Sequence, residues 1–169
     1  NYTDVGHLTG DNSGDADTGE DRMEKGSKRE GLTPDEIANK YIKLFDQHVK
    51  VLNVDDPTYK TRATNYIKEM QALVKTLIEK GHAYETNKAV YFDVSTFDRY
   101  NDLNKHKIDK NLIGAGAGDV QDPQKRNPQD FALWFFKTGV HKNALQYWPS
   151  PFHSPEVENG IGFPGWHIE

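Results

Sequence analysis

The stretch that decides how this chain is interpreted is Phe163-Pro164-Gly165-Trp166-His167-Ile168-Glu169, at its carboxyl end. An aromatic ring, an imidazole and a carboxylate follow one another there on a short segment that proline and glycine keep extended. At the amino end, in Asn1-Tyr2-Thr3-Asp4-Val5, the residues from Tyr2 to Val5 indicate the end of a β-strand. Such a group of side chains has no evident purpose at a bare terminus. We therefore expect the two ends to border one site, and the chain to be an internal segment of a longer protein.

Composition limits the classes of function. The chain has 169 residues, 35% of them hydrophobic, and a net charge of −5. That charge argues against a general nucleic-acid surface, which requires clustered Lys and Arg, so any RNA contact must be local. The absence of cysteine excludes disulfides and thiolate chemistry within the chain. No stretch approaches the roughly 20 apolar residues of a membrane span, and the polar amino end has no signal-peptide core, so we expect a cytoplasmic protein without membrane contact.

The first half of the chain predicts two helices after a loop. Residues 6–31 are polar, without apolar periodicity, and predict a loop. Thr33-Pro34-Asp35-Glu36 supplies an N-cap, a proline at the first helical position and two acids in the first turn, which predicts a helix that runs to about Leu52. A second helix is predicted over residues 62–80, with Gly81 ending it. The apolar stripes of both helices indicate burial rather than cofactor binding.

The second half predicts strands and irregular chain. Residues 83–86 and 89–92 predict a β-hairpin around the turn Asn87-Lys88, and residues 131–136 predict a further, strongly apolar strand. The glycines at 114, 116 and 118 predict a flexible link, since a dinucleotide fingerprint would need its third glycine where Asp119 stands. Frequent Pro and Gly over residues 148–165 predict an irregular path.

Other candidate sites have simpler interpretations. The acidic residues between 11 and 20 do not match a calcium loop, because Ala16 stands where the turn glycine belongs, and they predict a solvated loop. No His-x-x-x-His pair is present, so no self-contained zinc site is expected. Lys125 and Arg126 form a compact basic pair, and either a charged turn before the strand at 131 or a contact with RNA phosphates explains it.

Several short sequence motifs of this chain, taken in order, resemble those of the cysteinyl-tRNA synthetases, which are class I aminoacyl-tRNA synthetases. The resemblance covers nearly the whole chain. It is specific because several motifs that are unrelated to one another occur in the same order as in the family. Besides the two ends, these motifs are Arg62-Ala63-Thr64, Glu79-Lys80-Gly81-His82-Ala83-Tyr84, Val90-Tyr91-Phe92-Asp93-Val94, residues 125–134 and Trp148-Pro149-Ser150-Pro151.

The resemblance implies an α/β fold: part of a class I synthetase Rossmann-like nucleotide-binding fold with an α+β connective insertion. Residues 1–81 would belong to the catalytic core, 82–164 to the insertion and 165–169 to re-entry into the core. The parent protein would be a monomeric ligase that activates cysteine with ATP and Mg and transfers it to tRNA(Cys), with a zinc ion gripping the thiolate. The phosphate-binding motifs and the zinc ligands would lie outside this chain, so the chain alone would be inactive.

By the same resemblance, Thr3 and Trp166 line the cysteine pocket, and Lys125 and Arg126 contact the tRNA. No catalytic residue and no metal ligand is assigned within the chain. For Trp166 the alternative is simple core packing. Two alternative functions remain open: a cysteine ligase of mycothiol synthesis with the same architecture, and a non-catalytic interaction module.

Overall fold

A computed structural model describes residues 1–6, 22–100, 102 and 122–169 of the chain. Within these ranges it contains helices α1 (Arg22–Glu30), α2 (Pro34–Val51) and α3 (Ile67–Glu79). The strands are β1 (Ala83–Glu85), β2 (Ala89–Phe92), β3 (Phe131–Phe136) and β4 (Gly162–Pro164). Among the helices of the described ranges, none has the length and apolar character needed to cross a membrane. The acidic stretch 11–20 and the glycines at 114–118 lie outside the described residues.

Helix α2 begins where the sequence predicts. The Thr33 hydroxyl accepts the Glu36 N–H at 3.3 Å, and the Glu36 carboxylate accepts the Thr33 N–H at 2.8 Å. Each side chain thus satisfies a backbone donor that a helix start leaves open, and Pro34 occupies a position that needs no donor. The reciprocal cap explains why a four-residue motif is enough to predict where this helix begins.

The prediction of a loop over residues 6–31 is wrong for its last third, because Arg22–Glu30 forms helix α1. Glu24 and Lys28 form an i,i+4 ion pair at 2.7 Å, which supports a helix without an apolar stripe. The Glu30 carboxylate accepts hydrogen bonds from Lys40 and from the Tyr41 hydroxyl on α2. Contacts with a second helix therefore stabilise α1, and periodicity within its own sequence does not reveal it.

The second predicted helix is confirmed with a tighter first turn. Residues Ala63–Tyr66 form a 3-10 helix that continues into α3. Ile67, Met70 and Val74 are buried along one face of α3. Gly81 follows with a φ of +77°, a conformation that glycine adopts without steric cost, and the chain turns into β1.

The four strands form one antiparallel sheet in the order β1-β2-β3-β4. The β1–β2 hairpin and strand β3 confirm the prediction, and Val90 of β2 lies opposite Trp134 of β3. Both faces of the sheet are covered. One face packs Tyr91, Phe135 and Phe163 together, and the other packs Val90, Trp134 and Phe136 against Val74 of α3.

Strand β4 corrects the expectation that residues 148–165 are wholly irregular. Gly162–Pro164 pairs with β3, and Trp148 forms a further antiparallel bridge with Gly162. A Cβ at Gly162 would lie 2.0 Å from the carbonyl oxygen of Phe135. The glycine that indicates irregular chain in the sequence is therefore what permits close strand pairing.

The antiparallel sheet supports the α+β part of the predicted fold class. In the described ranges, parallel pairing occurs at one bridge, between Tyr2 and Arg62. Tyr2 lies in the segment whose sequence indicates a strand end. A Rossmann-like parallel sheet therefore stays a prediction, as do the domain boundaries at residues 81 and 164.

Candidate functional site

The two ends of the chain meet in space. The Asn1 side chain donates a hydrogen bond from Nδ2 to the backbone oxygen of Glu169 at 3.0 Å, across 168 positions of sequence. A groove of about 300 Å³ opens beside this contact. Its walls are the two ends, the turn that leads into α3 and the first turns of α3, with Asn1, Thr61, Arg62, Ala63, Tyr66, Glu69, Met70, Leu73, Ile168 and Glu169 as lining residues.

Asp4 anchors the amino-terminal segment that carries Thr3. Its carboxylate is buried and accepts three hydrogen bonds: from Arg62 Nε at 2.7 Å, from the Thr64 N–H at 2.9 Å and from the Thr64 hydroxyl at 2.7 Å. The Gln146 side chain binds the same segment, donating to the Asp4 carbonyl at 2.9 Å and accepting from the Gly6 N–H at 2.9 Å. The exposed Thr3 therefore sits on a firmly held backbone.

Arg62 joins this segment to helix α2. Besides Asp4, its guanidinium contacts Asn39 Oδ1 and Asp35 Oδ1, both at 2.8 Å. The hydrogen bond to Asp4 is the largest cause of the raised pKa of Arg62, so the group is a permanent cation. One planar fork thus binds groups from two elements, as guanidinium geometry allows. In the sequence, Arg62 stands out only as part of a motif that resembles the family, and no sequence pattern identifies Asp4 as its partner.

Trp166 begins the 3-10 helix Trp166–Ile168, whose last residue lines the groove, whereas Trp166 and Thr3 are not among the lining residues. Trp166 is 61% exposed, so it does not pack in the core that the described residues form. The preceding Gly165 donates its N–H to the Leu133 carbonyl at 2.9 Å, and a Cβ there would lie 2.1 Å from the Ala132 oxygen. The backbone of this segment is therefore held tightly against β3, and Trp166 itself is largely exposed. That Thr3 and Trp166 share one pocket stays a prediction.

Lys125 and Arg126 lie in the turn before β3 and already have partners there. The Arg126 guanidinium carbon lies 4.1 Å from the centre of the Tyr84 ring, and its Nη1 lies 3.3 Å from Asp93 Oδ2. Lys125 Nζ lies 5.6 Å from the centre of the Tyr91 ring. These contacts give the pair a structural role. The Arg126 side chain is nevertheless 63% exposed, so it remains accessible to a phosphate.

A buried carboxylate organises this turn. Asp130 accepts hydrogen bonds from the Tyr84 hydroxyl at 2.7 Å, the Val94 N–H at 3.0 Å and the Asn127 N–H at 3.1 Å. Burial raises the pKa of Tyr84 above its usual range. At Asp93 the hydrogen bond from the Ser95 hydroxyl, with a further contribution from Arg126, lowers the pKa of the carboxyl group. In the sequence, residues 125–134 stand out only as a motif that resembles the family. Only the fold shows that Asp130 organises this turn through its hydrogen bonds.

The residues of the described ranges do not fit a zinc ion. No group of three or more His, Asp or Glu side chains there is arranged to hold a metal, and the whole sequence contains no cysteine. Tetrahedral zinc sites in proteins need three or four such ligands.

The sequence matches a known family. A family profile described as the tRNA synthetases class I (C) catalytic domain matches residues 12–169. The chain therefore belongs to the class I tRNA synthetases, in the family defined by that catalytic domain.

Individual relatives carry more specific names. The cysteine–tRNA ligase of Deinococcus radiodurans is 43% identical over 169 residues, which cover all of this chain and 31% of the relative. The cysteine–tRNA ligases of Chlorobaculum tepidum and Thermus thermophilus are 41% and 40% identical over the same length, each covered to 32%. The chain thus spans about a third of the length of these relatives. The comparisons do not favour the mycothiol ligase or the interaction module.

Proposed function

We propose that this chain is part of a cysteine–tRNA ligase, which activates cysteine with ATP and Mg and transfers it to tRNA(Cys). The observation that carries the proposal is the match of the entire chain, at about 40% identity, to proteins with that name. The parent protein would be a monomeric, cytoplasmic enzyme. Because the chain spans a third of such proteins, it supplies part of the machinery and has no activity alone.

The contribution of this chain would be one border of the cysteine pocket. The contact between Asn1 and Glu169 supports this assignment, because it joins the segments that carry Thr3 and Trp166. An indole face excludes water and shapes a small cavity, and a threonine hydroxyl offers a polar contact to a bound amino acid. The network of Asp4 and Arg62 would keep the Thr3 segment in place, as precise recognition requires.

The fold would be completed by polypeptide outside residues 1–169. In this proposal residues 1–81 and 165–169 belong to a Rossmann-like core, and residues 82–164 form the connective insertion. The parallel bridge between Tyr2 and Arg62 and the separate antiparallel sheet support that division. The phosphate-binding motifs and the zinc ligands would belong to the remaining polypeptide, as the resemblance to the family implies. When bound there, zinc would supply selectivity for the cysteine thiolate over a serine hydroxyl.

The exposed Arg126, with Lys125, would contact the tRNA. The contact of Lys125 with the Tyr91 ring, and those of Arg126 with the Tyr84 ring and the Asp93 carboxylate, hold the two cations at fixed positions on the turn before β3. A fixed cation pair orients a phosphate backbone without reading its sequence. The rest of an acidic chain would add little to RNA binding, which agrees with the net charge of −5.

Cysteine-dependent exchange of pyrophosphate into ATP tests the proposal on the full-length protein. Trp166→Ala and Thr3→Val should raise the KM for cysteine at least about tenfold, equivalent to about 1.4 kcal/mol of lost binding. Lys75→Ala, on the exposed surface of α3, should leave the rate unchanged. Full-length protein without exchange activity, or site variants with unaltered kinetics, would refute the corresponding part of the proposal. Robust exchange or one tightly bound zinc ion in the 169-residue chain would show that the machinery lies within it.

A further inference from the structure

The amino-terminal segment is held between helix α2 and the sheet. The Tyr2 hydroxyl donates a hydrogen bond of 2.6 Å to a carboxylate of α2, and Asp4 is joined to the same helix through Arg62. Val5 is 4% exposed and belongs to the buried cluster on one face of the sheet. The neighbours of Thr3 on both sides therefore have their side chains bound or buried, whereas Thr3 itself is exposed.

Gln146 supplies a further restraint on this segment, and it comes from the part of the chain proposed as the connective insertion. Its side-chain amide donates to the Asp4 carbonyl at 2.9 Å and accepts from the Gly6 N–H at 2.9 Å. In an extended chain, the C=O of one residue and the N–H two positions later are the groups that one residue of a parallel neighbouring strand pairs. The Gln146 side chain therefore takes the place of a strand partner.

Burial makes these two hydrogen bonds important. Asp4 and Gly6 are both buried, and within the described ranges no backbone group pairs with the Asp4 carbonyl or the Gly6 N–H. A buried backbone group without a partner is unfavourable, so the segment would move until both groups found water or another partner. Thr3 directly precedes Asp4 and would move with it. Gln146 thus links the sheet to the position of Thr3.

We propose that Gln146 is a positioning residue for cysteine recognition, which fixes the backbone of Asp4 and Gly6 and thereby the position of Thr3. The inference rests on the proposed function, because it takes Thr3 to border the cysteine pocket. Gln146 acts through the backbone and not through contact with the substrate. A pocket wall that is already fixed loses little conformational entropy when a small amino acid binds, so the fixed wall binds more tightly than a mobile one.

Pyrophosphate exchange by the full-length protein, with cysteine varied at saturating ATP, tests this role. Gln146→Met retains the length of the side chain but removes both hydrogen bonds. We expect the KM for cysteine to rise at least about fivefold, while kcat and the KM for ATP stay within about twofold of wild type. A purely structural role would reduce the fraction of active enzyme, and with it kcat, at an unchanged KM. That result would overturn the proposal.

The matched control is Gln71→Ala. The Gln71 side chain also binds a backbone carbonyl of the segment after Gln146, since its Nε2 donates to Pro149 at 2.9 Å. It makes no hydrogen bond to the amino-terminal segment. The control should leave the KM for cysteine unchanged, and an increase equal to that of Gln146→Met would show that any loosening of this region has the same effect, which would overturn the proposal.

A double substitution tests whether Gln146 acts through Thr3. If it does, adding Gln146→Met to Thr3→Val should raise the KM for cysteine by less than about twofold, because the contact that Gln146 positions is already absent. An increase as large as in the wild-type background would show independent action and overturn the proposal. A Thr3→Val variant with an unaltered KM would overturn both the pocket assignment and this inference.

Hydrogen exchange at the Gly6 amide separates failure of this inference from failure of the proposed function. In the full-length protein, Gln146→Met should speed hydrogen exchange at Gly6 at least about tenfold, and Gln71→Ala should not. If Gln146→Met does not fold, Gln146→Asn, with a side chain too short to reach both groups, replaces it. Loss of this protection in a protein that is inactive in pyrophosphate exchange contradicts the proposed function alone. Unchanged protection in an active protein contradicts the role of Gln146 alone.

Discussion

Replacing Arg62 by alanine tests how the Thr3 segment is held. The substitution removes the Nε–Asp4 hydrogen bond of 2.7 Å and the contacts with Asn39 and Asp35 at 2.8 Å. Asp4 is 3% exposed, so its carboxylate would remain buried after losing its cation.

The structure sets the expected magnitude. Breaking a fully buried ion pair costs about 3–5 kcal/mol. Here Thr64 still donates two hydrogen bonds to Asp4, and the Arg62 side chain is 23% exposed, so the loss is smaller. The contact with Asp35 adds little, because that side chain is 72% exposed. We expect a loss of about 2–3 kcal/mol, equivalent to roughly 4–12 °C in Tm for a domain of this size.

Urea denaturation of the 169-residue chain, followed by tryptophan fluorescence, measures this loss. Arg62→Lys should lose about 1–2 kcal/mol, since an ammonium group cannot reproduce the planar fork. The control is Lys75→Ala, which removes a 3.8 Å pair with Glu79 whose members are both 62% exposed, and it should change stability by less than about 0.5 kcal/mol. If Arg62→Ala is no more destabilising than this control, the network does not anchor the segment.

Three further predictions concern the fold. Gly162→Ala should lower the free energy of unfolding by at least about 3 kcal/mol, because its Cβ would lie 2.0 Å from a carbonyl oxygen of β3. Gly31→Ala, at a position with φ +65° and open space around it, should lower the free energy of unfolding by about 1 kcal/mol, and equal losses in urea denaturation would contradict the close approach at Gly162. Thr33→Ala should lower stability by about 1 kcal/mol through loss of the cap of α2, and Thr33→Ser should restore most of it in the same assay. The pKa of Glu30 is lowered to about 2, first by its hydrogen bond with Lys40, so the stability it contributes is present above its unfolded pKa near 4.5 and is lost as pH falls towards 2. Denaturation midpoints measured between pH 5 and 2 should fall less steeply for Glu30→Gln, and an unchanged slope would refute the assignment.

Local chemistry explains the elements that the sequence predicts. The start of α2 depends on Thr33 and Glu36, three positions apart, and the end of α3 depends on a single glycine, Gly81. The β1–β2 hairpin and strand β3 follow from short apolar runs bounded by turn residues. In each case the stabilising contacts lie within a few residues, so a sequence pattern contains them.

Elements stabilised by distant partners are not visible in that way. Helix α1 depends on hydrogen bonds from Lys40 and Tyr41 to Glu30, and β4 depends on the close approach of Gly162 to Phe135. A polar stretch and a glycine-rich stretch therefore predict irregular chain, although tertiary contacts order both.

The candidate site divides along the same line. The resemblance of the two sequence ends to a known family predicts that Thr3 and Trp166 belong to one site, which stays a prediction, and the family comparison agrees with the class of protein that the resemblance implies. Only the tertiary structure brings Asn1 against Glu169 and pairs Asp4 with Arg62, 58 positions away. Residue types and spacings along a chain state which chemical groups are available, but the distance between two groups far apart in sequence is set by the packing of every element between them.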